Sequence, residues 1–204
     1  MREEEMVKPS ELERDRFYKR AKERGYRSRS AFKLIALQKR FHLMQRGDIV
    51  VDLGAAPGGW SQVASRIVGE EGRVVSVDIK PFRLSGVIFV RSDIRDVAGT
   101  VRAIRDALGK TLVDVVLSDV SPNLSGNRSY DQYLSFELSS CALRIAHELL
   151  RNGGNFVTKI FQGAEFKQFY DIARENFSMV KAFTPEATRK RSSEVYIVGK
   201  KFHR

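Results

Sequence analysis

The chain alternates short apolar runs with amphipathic stretches from Gly47 almost to its end. Apolar runs bounded by glycine or aspartate predict buried strands, and apolar residues repeating every three or four positions predict helices that face a core. The predicted strands are GDIVVDLG, GRVVSVDI, GVIFVRSD, LVDVVLSDV, NFVTKIF, FSMVKAF and SEVYIVGKK. The predicted helices are GWSQVASRIVG, the segment from about Ala98 to Leu108, the segment from Tyr130 to Leu150 and EFKQFYDIARENF.

This order of elements predicts an α/β fold with a mostly parallel, doubly wound sheet of seven strands and helices on both faces. Little more than a loop separates the last two strands, so we expect them to pair antiparallel. The long helix is expected to stop at RNGG, before the fifth strand. Because ligands bind at the carboxyl ends of the strands in such sheets, the residues after each strand are the first candidates for a site.

The length of 204 residues suits one globular domain, in which residues 47–204 form the core and residues 1–46 a basic helical extension. The single cysteine, Cys141, excludes an intrachain disulfide and a CxxC metal site. His42, His147 and His203 show no ligand spacing, so we expect no metal. No run approaches the roughly 18 apolar residues of a membrane span, and we expect a cytoplasmic monomer.

The net charge of +11 is concentrated near the amino terminus. The segment from Arg14 to Arg40 holds eleven basic and two acidic residues, interleaved with Phe17, Tyr18 and Tyr26. A focused basic stripe with aromatic residues is typical of a surface that follows a nucleic-acid backbone, although a solvated helical arm would also explain it. An anionic membrane surface is disfavoured, because apolar periodicity begins only at about Ala31.

The segment DLGAAPGGWSQVA, from Asp52 to Ala64, forms a glycine-rich turn between the first strand and the first helix of the core. It lacks the GxGxxG spacing of dinucleotide-binding proteins and the GK[ST] of triphosphate-binding loops, and it contains no lysine or arginine. Gly54 and Gly58 would let the backbone approach an uncharged group closely. The loop therefore disfavours a pyrophosphate ligand.

Three successive strand ends carry a carboxylate, at Asp78, Asp93 and Asp119. Asp78 stands where a carboxylate accepts both ribose hydroxyls, and Asp93 is placed to meet an adenine edge. Acidic strand ends suit an adenosine ligand that carries positive charge. S-adenosylmethionine, a sulfonium cation with a ribose and an adenine, fits this pattern; any one of these aspartates alone would be explained as a helix cap.

Five ordered motifs, SAFKL, DLGAAPGGWSQV, SDVSPN, FVTKIFQG and SSEVY, resemble the FtsJ-like ribosomal RNA 2'-O-methyltransferases from about Arg27 to the carboxyl terminus. The resemblance implies the Rossmann-like fold of S-adenosylmethionine-dependent methyltransferases. It also implies a catalytic set of two lysines and two acids, at Lys33, Asp119, Lys159 and Glu194. The implied cofactor contacts are Gly58, Trp60, Asp78, Asp93 and Asp119.

The chemistry of methyl transfer to a sugar hydroxyl makes these residue types reasonable, because the acceptor oxygen must lose a tightly held proton. A lysine inside the apolar run NFVTKIF is poorly explained by packing, so Lys159 is the expected principal catalytic group. Lys33 and Glu194 would orient the ribose and tune Lys159, and Asp119 would link the cofactor to the lysine pair. Lys33 could instead be one more residue of the basic helix, and Glu194 could pair with Lys200 or Arg191.

The basic segment leads directly into the helix that carries Lys33, so RNA bound along it would deliver a ribose to the site. Arg189, Lys190 and Arg191 would flank the other side. The resemblance points to a uridine in the A-loop of 23S ribosomal RNA, within the large ribosomal subunit. Methylation of tRNA by the same chemistry, a noncatalytic RNA-binding assembly factor and, least favoured, a nicotinamide-dependent dehydrogenase are the alternatives.

Overall fold

The computed structural model describes residues 16–109, 111–189 and 192–204. The helices of this part are α1 (Arg16–Glu23), α2 (Ala31–Phe41), α3 (Gly59–Val68), α4 (Val97–Leu108), α5 (Arg128–Leu149) and α6 (Phe166–Asn176). The strands are β1 (Ile49–Leu53), β2 (Arg73–Asp78), β3 (Ile88–Arg91), β4 (Val113–Ser118), β5 (Leu150–Phe161), β6 (Phe177–Phe183) and β7 (Glu194–Phe202).

The seven strands form one sheet in the order β3-β2-β1-β4-β5-β7-β6. The first five strands pair in parallel, and β7 runs antiparallel to both of its neighbours, β5 and β6. The strand order reverses between β1 and β4, which is where ligands bind in doubly wound sheets. The fold predicted from the sequence is confirmed.

Helices cover both faces of the sheet because each apolar face must be buried. On one face, α4, α5 and α6 contribute Ile104, Ile145 and Phe169 to a large apolar cluster. On the other face, α2 and α3 contribute Leu37 and Val63 to a second cluster, together with side chains of β1, β4, β5 and β7. The carboxyl ends of β1, β2 and β4 lie at the edge of these two layers.

The sequence misplaced the start of β5. The stretch RNGG was expected to separate helix from strand, yet β5 begins at Leu150 and includes both glycines. Leu150 pairs with Val113, and the register shifts before Asn155 pairs with Val115. A β-carbon on Gly154 would lie 3.0 Å from the carbonyl oxygen of Asp114, so a residue without a side chain allows this irregular segment to lie against β4.

The basic segment near the amino terminus consists of two helices separated at Gly25, whose φ is +67°. Ala31, Leu34 and Leu37 of α2 are fully buried, so this helix is packed into the core beside the sheet. The boundary predicted at residue 46 divides the chain after a helix that already belongs to the packed core. No helix of the described residues is both long and apolar enough to cross a membrane.

Candidate active site

The glycine loop joins β1 to α3 at the point where the strand order reverses. Gly54 has a φ of +72°, and a β-carbon there would lie 2.4 Å from Cγ2 of Val120, next to Asp119. Gly58 has a φ of +101°, and a β-carbon there would meet the Phe82 ring at 2.7 Å. Both positions require glycine, because other residues disfavour positive φ and both spaces are filled.

Asp78, at the end of β2, supports this loop directly. Its Oδ2 accepts a hydrogen bond of 2.9 Å from the backbone of Ala56, and its Oδ1 accepts one of 2.8 Å from the backbone of Lys80. A carboxylate oxygen can accept more than one hydrogen bond, so Asp78 can also accept hydrogen bonds from hydroxyl groups of a ligand. The predicted ribose-binding residue is thus placed beside the glycine loop.

Trp60 lies in the first turn of α3 and is only 2% exposed. Its indole Nε1 donates to the carbonyl of Ser30, at 2.9 Å, and its ring packs against Tyr196 with centroids 5.7 Å apart. The residue therefore joins α3 to the start of α2 and to β7. Contact with a cofactor remains a prediction for Trp60.

Asp93 follows β3 and is engaged by a neighbouring side chain. Arg95 donates to both of its carboxylate oxygens, at distances between 2.5 and 3.0 Å. These hydrogen bonds hold the pKa of Asp93 below its ordinary value. An adenine amino group would share this carboxylate with Arg95, and the predicted contact stays a prediction.

The four residues of the predicted catalytic set converge from four elements: α2, the end of β4, β5 and the start of β7. Nζ of Lys33 donates to Oε2 of Glu194 at 2.6 Å. Nζ of Lys159 lies 3.2 Å from Oδ1 of Asp119 and 4.0 Å from Oε1 of Glu194. Glu194 thus lies between the two ammonium groups. Among the described residues it does not pair with Lys200, which donates instead to backbone carbonyls of Phe41 and His42. Arg191, the other partner considered from the sequence, lies outside the described residues.

The two lysines are buried, Lys33 at 8% exposed and Lys159 at 5%. Removing an ammonium group from water is costly unless it is paired and hydrogen-bonded, and here both are. Lys159 also donates to the backbone carbonyl of Asp119, at 3.0 Å. This arrangement holds the Lys159 ammonium against the end of β4, directly beside the glycine loop, because the backbone of Asp119 bonds to Leu53 of β1.

Tyr196 belongs to this site, although the sequence reasoning assigned it no role. It lies two residues after Glu194 on β7, so both side chains point to the same face of the sheet. Its hydroxyl donates to Oδ1 of Asp119 at 2.7 Å, and Nζ of Lys33 lies 5.6 Å from the centre of its ring. The period of two along SSEVY was the signal that could have identified it.

The charges of the site set the protonation of its acidic groups. Burial alone would raise the pKa of Asp119, but the positive charges of Lys159 and Lys33 and the hydrogen bond from Tyr196 outweigh it, and the pKa lies below its ordinary value. Burial and the neighbouring carboxylates Asp119 and Glu194 raise the pKa of Tyr196 well above its ordinary value. Asp119 is therefore a carboxylate, and Tyr196 keeps the proton that it donates.

A second group missed by the sequence reasoning is Asp52, at 0% exposed on β1 beneath the loop. Its Oδ2 accepts from Ser61, whose hydroxyl also bonds to Ser76, and its Oδ1 has no hydrogen-bond partner among the described residues. Burial, with smaller contributions from Asp119 and Asp78, raises the pKa of Asp52 to about 7. Asp52 is therefore only about half ionised near neutral pH, whereas an aspartate with an ordinary pKa is fully ionised.

The loop before β7, which carries Arg189, lies next to the basic segment near the amino terminus. Arg29 donates to the carbonyl of Ala187 at 2.5 Å, and Arg16 pairs with Glu186. Burial lowers the pKa of Arg29, and the positive charge of Arg189 lowers it further. The expectation that Arg189 flanks the opposite side was therefore wrong, because this loop packs on α1 and α2 through Phe32 and Ala187. Lys190 and Arg191 lie outside the described residues.

Within the described ranges, no group of three or more metal-ligating side chains occurs.

Comparison with known proteins places these features in a family. The model of the FtsJ-like methyltransferases matches residues 26–202. The chain is 47% identical over 190 residues to ribosomal RNA large subunit methyltransferase E of Methanosarcina acetivorans, covering 93% of this chain and 69% of that protein. It is 46% identical over 191 residues to the protein of the same name from Archaeoglobus fulgidus, covering 93% of this chain and 97% of that protein.

Solved structures agree with the sequence comparisons. A ribosomal RNA methyltransferase structure from Plasmodium falciparum superposes with a TM-score of 0.79 at 25% identity, covering 87% of this chain and 98% of that one. Aeropyrum pernix fibrillarin, crystallised with S-adenosyl-L-methionine, has a TM-score of 0.59 at 18% identity, covers 83% of this chain and 76% of that one, and shows the fold alone. The fold, the five motifs and the close relatives confirm the predicted class of enzyme: the chain belongs to the FtsJ-like methyltransferase family.

Proposed function

We propose that the chain transfers the methyl group of S-adenosylmethionine to a ribose 2'-hydroxyl of large-subunit ribosomal RNA, at a uridine of the A-loop. The observation that carries this proposal is the convergence of Lys33, Asp119, Lys159 and Glu194 beside the glycine loop. The names of the relatives support the ribosomal substrate. The choice of uridine and of the A-loop rests on the resemblance of the motifs.

The residues around the glycine loop fit S-adenosylmethionine. The space beside Gly54 and Gly58 is too tight for any side chain, and residues 54–60 contain no cation that would favour a phosphate. Arg27 lies nearby, but its guanidinium donates to the carbonyl of Pro57 and lies over the ring of Phe82. Asp78 would hold the ribose, Asp93 the adenine and Asp119 the positively charged end, with Gly54, Gly58 and Trp60 forming the wall.

When bound, S-adenosylmethionine supplies an electrophilic methyl group and leaves as a neutral thioether. The acceptor oxygen gains the methyl carbon and loses its proton. Lys159 would lie beside this oxygen: as an ammonium group, its Nζ stabilises the developing negative charge while the proton passes to water, and as a neutral amine it accepts the proton itself. Asp119 holds Lys159 through its side chain and its carbonyl, so the amine is positioned before the substrate arrives.

Lys33 and Glu194 would orient the ribose. Their 2.6 Å contact joins the first turn of α2 to the start of β7, so a change in either residue moves the other. The basic residues of α1 and α2 lead to this pair and would hold the phosphate backbone of the RNA. We propose that residues 1–46 supply the RNA-binding surface of a single methyltransferase domain, although α2 also belongs to the packed core, and that the protein acts as a monomer in the cytoplasm.

The test is transfer of labelled methyl from S-adenosylmethionine to intact large ribosomal subunits, deproteinised ribosomal RNA and total tRNA. Wild type is compared with Lys159→Ala and with Lys167→Ala, a matched control on the exposed surface of α6 whose side chain is 86% exposed. We expect label in subunits, recovered as an alkali-stable dinucleotide mapping to the A-loop, which is lost only in Lys159→Ala. Label in tRNA alone would refute the ribosomal substrate, and cofactor binding without label in any RNA would favour a noncatalytic RNA-binding factor.

A further inference from the structure

A cleft of about 310 Å³ lies at the carboxyl-terminal end of α2, whereas Lys33 lies in the first turn of this helix. It is lined by the last residues of α2, by β6 and by one residue of β7: Arg40, Phe41, Met179, Lys181, Ala182, Phe183 and Lys200. No residue of this cleft belongs to the candidate active site. The lining contains three basic side chains and no acidic one.

The cleft exists because α2 covers β7 but leaves the edge strand β6 open. Directly opposite residues of an antiparallel pair share a face, and Lys181 lies opposite Val198, which is buried under α2. Lys181 therefore points to the α2 side of the sheet, as do Met179 and Phe183. Met179 is 36% exposed and Lys181 is also exposed, so no described element covers this end of the sheet.

Lys200 joins the two walls of the cleft. Its Nζ donates to the carbonyls of Phe41 and His42, at 2.7 and 3.0 Å, which are among the last carbonyls of α2. A lysine at this position offsets the negative end of the helix dipole. The rings of Phe41 and Phe183 meet edge to face at 5.5 Å and brace the walls further. These contacts hold the two walls of the cleft together.

Arg40 and Lys181 are the two cations that remain available to a ligand. Both are exposed, and neither forms an ion pair with any described residue. The guanidinium of Arg40 lies 5.4 Å from the centre of the Phe41 ring, which keeps it over the cleft. Two cations on a braced wall, without a neighbouring carboxylate in the lining, favour an anionic ligand.

The cleft lies on the same face of the sheet as the catalytic lysines. Lys200 lies six positions after Glu194 on β7, which corresponds to about 20 Å along the strand. Of the three basic residues of α2, Lys33 belongs to the candidate site, Arg40 lines the cleft, and Lys39 is exposed next to Arg40. A nucleic-acid strand whose ribose is held at Lys33 could continue along α2 and reach the cleft with a phosphate several nucleotides away.

We propose that this cleft binds the phosphate backbone of the RNA substrate at a point remote from the methylated ribose, through Arg40 and Lys181. This inference rests on the proposed function for the identity of the ligand. The surface holds the substrate in register, because phosphate contacts position an RNA without reading its sequence. It extends the binding surface from the amino-terminal helices to the far edge of the sheet.

The experiment compares wild type with Arg40→Ala/Lys181→Ala by filter binding of radiolabelled, deproteinised large-subunit ribosomal RNA across a salt series. The control is Arg102→Ala/Lys167→Ala, which removes the same charge from exposed positions of α4 and α6 on the other face. Each lost phosphate contact lowers the slope of log Kd against log salt by about 0.7 to 0.9. We expect about tenfold weaker binding at low salt and a slope lower by about 1.5 for the cleft variant only.

An unchanged affinity and slope in the cleft variant, or an equal loss in the control, would overturn the proposal. If binding of free RNA is unchanged but methyl transfer to intact subunits falls, the cleft contacts a ribosomal protein, and the proposal is wrong. S-adenosylmethionine affinity is expected to stay unchanged throughout. A wild type that binds RNA but transfers no methyl group would contradict the proposed function alone, since the binding comparison does not depend on catalysis.

Discussion

The hydroxyl of Tyr196 donates to the same oxygen of Asp119 that lies 3.2 Å from the ammonium group of Lys159. Asp119 therefore receives a neutral donor and a charged one on one carboxylate oxygen. Hydrogen bonds to a charged group stabilise by about 1.5 to 3 kcal/mol. Tyr196 thus helps to determine the charge and the position of the acid that holds Lys159, the proposed catalytic lysine.

Replacing Tyr196 with Phe removes this hydrogen bond and leaves the ring packing intact. Because the bond favours the carboxylate, its loss is expected to raise the pKa of Asp119 and to move the acid limb of the kcat profile to higher pH. The matched control is Tyr170→Phe, which removes a hydroxyl bonded to the carbonyl of Val180 on the other side of the sheet. An acid limb that stays in place in Tyr196→Phe, or moves equally in both variants, would contradict this role.

The contact between Lys33 and Glu194 is expected to show strong energetic coupling. Their side chains are 10% and 19% exposed, so removing one partner leaves the other charge poorly solvated. A double-mutant cycle of Lys33→Met and Glu194→Gln, measured by urea unfolding, should give a coupling free energy of about 1 to 3 kcal/mol. The same cycle on Arg105 and Glu148, an exposed pair, should give less than about 1 kcal/mol, and equal values would argue against the buried pair.

Gly54→Ala is expected to weaken S-adenosylmethionine binding at least tenfold, because the added methyl group must displace Val120, beside Asp119. Gly109→Ala is the control: its φ of +70° matches the +72° of Gly54, but no atom lies within 4 Å of its β-carbon. Both variants carry a similar backbone strain of about 1 kcal/mol. Calorimetric titration with S-adenosylmethionine should show a loss of affinity only in Gly54→Ala. Equal affinities of the two variants would contradict the predicted role of the glycine loop in binding the cofactor.

Asp52 is expected to make the stability of the protein depend on pH. Its pKa of about 7 in the folded state exceeds the value of about 3.9 in an unfolded chain, so the folded state holds the extra proton between these values. The stability that Asp52 contributes is complete below about pH 4 and is lost as the pH rises through about 7, by up to about 1.4 kcal/mol per pH unit.

The Asp52→Asn variant lacks this titration. Urea unfolding between about pH 4 and 8 should therefore show the wild type losing stability relative to the variant up to about pH 7, with a constant difference above it. Ser61→Ala should extend the loss to higher pH, because the hydrogen bond from Ser61 favours the ionised form. Parallel stability curves for wild type and Asp52→Asn would refute a raised pKa.

Local patterns in the sequence were sufficient for the elements and for the family. Apolar residues repeat every two positions in a strand and every three or four in a helix, because of the way side chains alternate along each element. This pattern is local and can be recognised without knowing which distant residues pack against it. The ends of α4 and α5 accordingly lie within two residues of the predicted ends. The glycine loop and Lys159 could also be recognised in the sequence. A cluster of glycines indicates a tight turn, and a lysine inside the apolar run NFVTKIF is not explained by ordinary packing.

Only the tertiary structure decided which side chains share one environment. The pKa of Asp52 results from burial at the centre of the sheet, and the partnership of Tyr196 with Asp119 joins residues 77 positions apart. The start of β5 at Leu150 depended on pairing with Val113 of β4, which precedes the irregular segment that contains Gly153 and Gly154. Burial, charge and strand pairing act between elements that are distant in the chain, so the sequence predicted the residue types of the site and the fold determined their distances and protonation.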